Sequence, residues 1–330
     1  MKSRKSKKAF LRNIWVSGIL ALMIIVATGG IGKMELKRVL AAILRMETAI
    51  ADTFEDGGTE DPLNTDEGVV QSPEKTPTTE SPCHLKVHFI DVGQGDAIFI
   101  ELPNGQSMLI DAGNADNGIQ IRDYIEGWGY TKLDYVIATH PHADHIGGMT
   151  AVINNLEIGR FYMPKKEQVT RTFENMLDAL SANSVAVYTA RSGTTILDEG
   201  GLTIRIVAPG AESYAELNNY SAIVHLRYRD TTFLFTGDAE GISEEEITKD
   251  IRADVLKVGH HGSDSSTSAA FLSQVNPRYA VISVGEGNTY GHPDNAILSR
   301  LEKAGVATYR TDEFGTVVFS SDGSTISVEK

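Results

Sequence analysis

The chain has 330 residues, 41% of them hydrophobic and 22% charged. That balance excludes a wholly disordered chain, a collagen and a multi-span membrane protein. A single cysteine, Cys83, excludes an intramolecular disulfide and a cysteine-cluster zinc site.

The net charge of −14 is unevenly placed: residues 1–50 carry +8, residues 51–83 carry −8, and residues 84–330 carry −14 with all nine histidines. Lys2, Arg4, Lys5, Lys7, Lys8 and Arg12 precede residues 14–31, which run 18 residues without a charge. As a helix this run spans about 27 Å, close to a bilayer core. It is longer than a signal-peptide core, and no clear A-x-A site follows. Residues 1–32 therefore read as a cytoplasmic basic tail and a transmembrane signal-anchor, with a cleaved signal peptide as the rival. The charge asymmetry puts the remainder outside the cell membrane, as a single-pass protein, or secreted if the anchor is cleaved. Residues 33–50 have near-helical apolar spacing and read as an amphipathic juxtamembrane helix. Residues 51–83 are acidic and rich in Thr, Pro, Ser and Gly, which predicts a disordered linker.

From His84 the pattern changes. LKVHFI, DAIFIEL and SMLIDAG are short β-rich runs, with a turn at Pro103-Asn104-Gly105 between the last two. A helix is predicted over 118–128, then the strand 133–139 and a helix starting near Gly147. Helices at 172–183, 241–250, 267–275 and 294–304 alternate with strands at 203–208, 221–228, 231–236, 254–258 and 279–284. Hairpins mixed with strand–helix units predict sheets covered by helices.

The histidines gather at strand ends. The strand 133–139 leads into His140, His142, Asp144 and His145, four ligand-type side chains within six residues. Together in a core they need partners or a cation. His140 and His142, two apart, address one ion from one side, while Asp144 and His145 turn toward a second position. Imidazole and carboxylate suit zinc, manganese or iron(II). FLFTGD is an apolar strand ending in Asp238, placed to bridge two metals, though Gly-Asp also makes ordinary turns. DVLKVGHHGS is another strand, ending in His260 and His261. His292, in NTYGHP, is a ligand, a phosphate-facing acid or a loop histidine. His84 and His88 read as structural, and His225, within a strand, is ambiguous.

HPHADH, LIDAG, FTGD and GHHGS together resemble the metallo-β-lactamase-fold hydrolases. VHFIDVGQGDAIFIELPNG, Asn218-Asn219-Tyr220-Ser221, VLKVGHHGS and NTYGHP narrow this to the C-terminal hydrolase domain of the ComEC/Rec2 competence proteins, across residues 84–330. The resemblance implies an α/β fold, a four-layer αββα sandwich with two divalent ions, zinc or manganese, along the sheet edge. His140 and His142 would hold one ion and Asp144 and His145 the other, with Asp238 between them. The last-histidine motif falls on His260-His261 or on His292. Asp111 would orient a metal histidine from behind. Many members carry a further histidine upstream of the T-G-D strand; here Asn218 and Asn219 stand in that region, so the first ion would be weakly held. The channel of competence proteins needs many spans, and one apolar run cannot supply it.

Two such ions lower the pKa of a bridging water and stabilise a charged transition state. Asp144 would hold the nucleophile, His260 or His292 would contact a phosphoryl oxygen or protonate the leaving group, and Ser263 would donate a hydrogen bond. The expected function is an extracytoplasmic phosphodiesterase acting on DNA or a cell-surface phosphoester. A lactone or β-lactam hydrolase and a non-catalytic, membrane-tethered metal-binding scaffold are the rivals. The bulk negative charge opposes a polyanion unless Lys165, Lys166, Arg171 and Arg191 form a basic stripe. Nothing in the sequence names a protein partner.

Overall fold

The computed structural model describes residues 84–329. The segments expected to form an anchor (1–32), a juxtamembrane helix (33–50) and an acidic linker (51–83) lie outside the described residues. Among the described residues no helix is long and apolar enough to cross a membrane.

The first sheet has eight strands: β1 (Leu85–Phe89), β2 (Ile98–Glu101), β3 (Ser107–Ile110), β4 (Lys132–Ile137), β5 (Glu157–Met163), β6 (Ala186–Thr189), β14 (Val317–Ser321) and β15 (Ile326–Glu329). Their order is β15-β14-β1-β2-β3-β4-β5-β6, antiparallel from β15 to β3 and parallel from β3 to β6. The second sheet has seven: β7 (Thr195–Glu199), β8 (Leu202–Ala208), β9 (Ile223–Tyr228), β10 (Thr231–Phe235), β11 (Val255–Lys257), β12 (Tyr279–Ile282) and β13 (Ala307–Arg310), ordered β13-β12-β11-β10-β9-β8-β7.

Alternation along each strand explains the layers, because successive side chains point to opposite faces. In β1, Leu85, Val87 and Phe89 enter a core that also holds Ile204, Leu226 and Phe233 of the second sheet. A second core lies against helices α1 (Gly118–Gly127), α3 (Met149–Asn155) and α4 (Arg171–Ala182), through residues such as Ile121, Val152 and Met176. A third joins the second sheet to α6 (Ala269–Val275) and α7 (Asn295–Lys303) through Phe271 and Ile297. The result is helix, sheet, sheet, helix. Caps fix the helix starts: Thr170 Oγ1 accepts from Phe173 N–H at 3.3 Å, and Ser268 Oγ accepts from Phe271 N–H at 3.2 Å.

The predicted helix near Gly147 is split into a short turn, α2 (Ala143–Ile146), followed by α3. The helix predicted over 241–250 stops early, as α5 (Gly241–Glu245). The Glu246 carboxylate is instead committed to Tyr214 Oη at 2.5 Å and to the backbone N–H groups of Gly210 and Ala211.

Candidate metal centre

The ligand-type side chains stand on the loops after the C-terminal ends of β3, β4, β10 and β11, where the two sheets come together. Thr139 O accepts from Ala222 N–H at 2.9 Å, and Ser221 Oγ accepts from Asp238 N–H at 3.1 Å. Gly237, at φ +52°, permits the approach: a Cβ there would lie 2.9 Å from Thr139 Cβ. Gly95 does the same for the loop after β1, since a Cβ would collide with the Asp144 carbonyl oxygen.

Two groups of ligand atoms face the centre, each within 4.8 Å of one another: Asp144, His145, Asp238 and His261, and His140, His142 and Asp238; a third, Asp96, Asp111 and His145, gathers on the Nδ1 side of His145. Asp238 belongs to both of the first two. Its Oδ2 lies 3.2 Å from His145 Nε2 and 3.7 Å from His140 Nε2, and its Oδ1 lies 3.6 Å from His261 Nε2. His140 Nε2 and His142 Nδ1 are 2.9 Å apart. Asp144 Oδ2 is 3.3 Å from His261 Nε2.

Hydrogen bonds behind the rings aim them. His145 Nδ1 donates to Asp111 Oδ2 at 2.8 Å, and that carboxylate also accepts from Thr139 N–H and Oγ1. His261 Nδ1 donates to Ser283 O at 2.9 Å. With both Nδ1 atoms used, each Nε2 points inward. His145 Nε2, His261 Nε2 and Asp238 Oδ1 are buried without a hydrogen-bond partner among the described residues. Buried donors and acceptors are rarely orphaned. Orphaned atoms converging from three elements fit a divalent cation, and the mixed imidazole and carboxylate donors suit zinc, manganese or iron.

The electrostatics agree. Burial alone would lower the His261 pKa, but Asp238, Asp144 and Asp96 hold it up at about 9. Burial likewise opposes the charged form of His145, yet Asp238 and Asp111 push its pKa well above the usual histidine range. Burial and the neighbouring His145 drive His140 down. Against the effect of burial, His145 holds both Asp144 and Asp238 below the usual carboxylate range. The pocket is a concentration of carboxylate charge that demands positive charge, as protons or as metal.

His260 and His261 both have positive φ, which fans the two rings apart. His261 enters the cluster. His260 Nδ1 lies 3.4 Å from Glu240 Oε1 and 3.2 Å from Ser265 Oγ, and its Nε2 is 3.9 Å from Asp238 Oδ2. The His292 ring lies 5.5 Å from the His260 ring, outside both ligand groups. Asn218 Nδ2 donates to Glu240 and lies 3.4 Å from His260. Asn219 is tied to Ser243 and Glu240. From this segment it is Ser221 Oγ that approaches His140, at 3.3 Å from Nδ1. Ser263 Oγ lies 3.0 Å from Ser265 Oγ, inside the turn. His225 Nε2 meets Arg252 O at 3.1 Å, away from both groups.

Two residues with no assigned role in the sequence reading stand behind the cluster. Asp96, in the GQGD run, lies with its Oδ1 3.4 Å from His261 Nδ1. Lys257 is wholly buried and reaches Asp96 Oδ2. A charged residue in the apolar strand VLKV is the one sequence signal for it. Of the proposed basic stripe, Lys165 and Arg191 line one small cleft with Tyr220, and Lys166 Nζ lies 4.9 Å over the Tyr220 ring.

A two-sheet sandwich with these ligand groups at its strand ends defines a class, and the sequence comparison agrees with it. The metallo-beta-lactamase superfamily model matches residues 90–286, and the chain belongs to that family. Within it, the chain is similar to the ComEC-like competence proteins. It is 31% identical over 254 residues to ComE operon protein 3 of Bacillus subtilis, covering 71% of this chain and 33% of that protein. It is 31% identical over 244 residues to Recombination protein 2 of Haemophilus influenzae, covering 70% of this chain and 28% of that protein. The chain thus spans about a third of the length of these curated relatives. The metallo-beta-lactamase fold protein YhfI from Bacillus subtilis aligns at 12% identity with a TM-score of 0.49, over 72% of this chain and 99% of that one.

Proposed function

We propose that this superfamily hydrolase is a membrane-anchored, extracytoplasmic phosphodiesterase working with two divalent ions. The observation that carries the reading is the pair of ligand groups joined through Asp238, with unpartnered Nε2 and Oδ1 atoms facing inward. His140, His142 and Asp238 would hold one ion; Asp144, His145, Asp238 and His261 would hold the other. Ions bound there supply Lewis acidity and an activated water.

The remaining steps belong to the chain. Asp144 is the most solvent-exposed member of its ligand group, and its carboxylate orients the attacking water. His260, steadied by Glu240, gives a proton to the departing oxygen. His292, beside it, contacts a phosphoryl oxygen. Lys165, Lys166 and Arg191, gathered around Tyr220, favour an anionic substrate over a neutral lactone. The anchoring rests on the apolar run at 14–31 and the basic residues before it.

The test is hydrolysis of bis-p-nitrophenyl phosphate and of nitrocefin by the full chain loaded with zinc or manganese, with Asp144→Asn as control. Phosphodiester turnover that disappears in the control is expected. Nitrocefin turnover without phosphodiester turnover overturns the reading.

A further inference from the structure

A concavity with a volume of about 900 Å³ lies on the second sheet, away from the metal centre. Its floor follows from strand alternation. Ile204, Leu226 and Phe233 face the inter-sheet core, so Arg205, His225, Arg227 and Thr232 lie on the opposite face. The register sets Arg205 opposite His225, and Arg227 opposite both Thr203 and Thr232. The helical layer that buries Ile223 and Leu234 on this same face stops short of these positions. Lys249 and Arg252 form one wall and Arg229 another.

This basic groove belongs to a domain that is strongly acidic overall. Its five Lys and Arg residues face three carboxylates, Asp230, Asp250 and Asp254. Two of these are engaged: Asp250 pairs with Arg252 at 2.6 Å, and Asp254 accepts from the N–H and hydroxyl of Thr232. Arg205 reaches Asp198 at 3.2 Å, with both side chains exposed, so the pair is weak. Arg227, Arg229 and Lys249 have no carboxylate partner among the described residues. Arg227 Nε donates instead to Arg229 O at 2.7 Å. Thr232 is the second residue of β10, and the strand ends at Phe235, three residues before Asp238, so about 10 Å or more of extended chain separates the groove from the metal centre. Apart from the His225 imidazole no aromatic side chain lines it, so it offers charge and little platform for stacking bases.

We propose that this groove binds the phosphodiester backbone of a nucleic-acid strand, by charge and without regard to sequence, independently of the metal centre. Cations spread over two strands and two connecting segments match a repeating anion better than a single one. Contacts of this kind release counterions, so affinity falls steeply with salt.

The experiment is fluorescence anisotropy of labelled 20-mers, oligo(dT) and a mixed sequence, with the full chain carrying Asp144→Asn to prevent turnover. Binding should be equal for the two oligonucleotides and fall with salt. Adding R205S, R227S and K249S should weaken it at least about tenfold and reduce the salt slope by about 2, the share of three cations on a single strand. R205K with R227K should retain binding, and the three serine substitutions in an otherwise unaltered chain should leave bis-p-nitrophenyl phosphate hydrolysis unchanged. Undiminished binding by the serine variant, absence of binding by the parent, or equal competition by polyglutamate of matched charge overturns the assignment.

Discussion

Lys257 Nζ lies 2.7 Å from Asp96 Oδ2, and both side chains are sealed from solvent. Lys257 also donates to Val258 O at 2.9 Å. Burial raises the cost of the Asp96 charge, but Lys257 and His261 together keep its pKa below the usual carboxylate range. Removing one partner of such a pair leaves the other charge buried alone, at a cost of about 3–5 kcal/mol. Lys257→Met is therefore expected to lose about that much stability, and Lys257→Met with Asp96→Asn to recover part of it. Denaturant unfolding of the two variants checks this; a single variant as stable as the parent removes the pair from the support of His261.

Asp144→Asn is expected to lower phosphodiester hydrolysis at least about 10²-fold, because the amide keeps the shape and loses the charge that orients water. Asp144 is not in a hydrophobic core, so the melting temperature should move by only a few degrees. Near-full activity in this variant excludes Asp144 from the chemistry.

The two ligand groups differ in strength. Four side chains converge in one, and two imidazoles with the shared carboxylate form the other. One tightly held ion per chain is expected after dialysis, with activity rising when manganese, which tolerates oxygen and water ligands, is added. Elemental analysis and a metal titration decide between this and two non-exchangeable zinc ions with no gain from manganese.

Glu240 holds His260 through a 3.4 Å contact and gathers Asn218, Asn219 and Ser265 around itself. Glu240→Ala is expected to cut turnover about tenfold, and His260→Ala about 10²-fold, with bound metal unchanged in both. Measuring turnover and metal content on the same samples separates proton transfer from ligation; loss of metal in the Glu240 variant would assign that residue to the ligand shell instead.

β1 lies between β14 and β2, with Leu85, Val87 and Phe89 wholly buried. Exposing three such side chains costs about 1.5–3 kcal/mol each, comparable to the stability of a domain. A chain beginning at residue 81 is expected to melt cooperatively, and one beginning at residue 90 to be insoluble or unfolded. Cooperative melting of the shorter chain would show that β1 is dispensable.

Much of this architecture is legible in the sequence. The strands that carry the histidines alternate or run apolar into dense ligand motifs, and such signals are local. Elements that lean on distant partners are not legible. β6 is exposed along its whole length, so AVYT has no inward face to mark it, and β7 has a single buried position. β14 owes its place to pairing with β1, more than 200 residues away in sequence, and β15 in turn pairs with β14. The Asp96–Lys257 pair joins residues 161 apart, and neither side chain signals the other. The basic groove was hidden by averaging: a domain of −14 reads as acidic until the register puts Arg205 and Arg227 on one face.

A single carboxylate, Asp238, serves both ligand groups. Two binding events that share a ligand are thermodynamically linked, and the linkage runs equally in both directions. Filling one position changes the dissociation constant of the other, and stripping one with a chelator alters the survivor without touching its own histidines. A titration of the centre would then follow a coupled isotherm, and no single affinity could be quoted for either position without stating the occupancy of its neighbour.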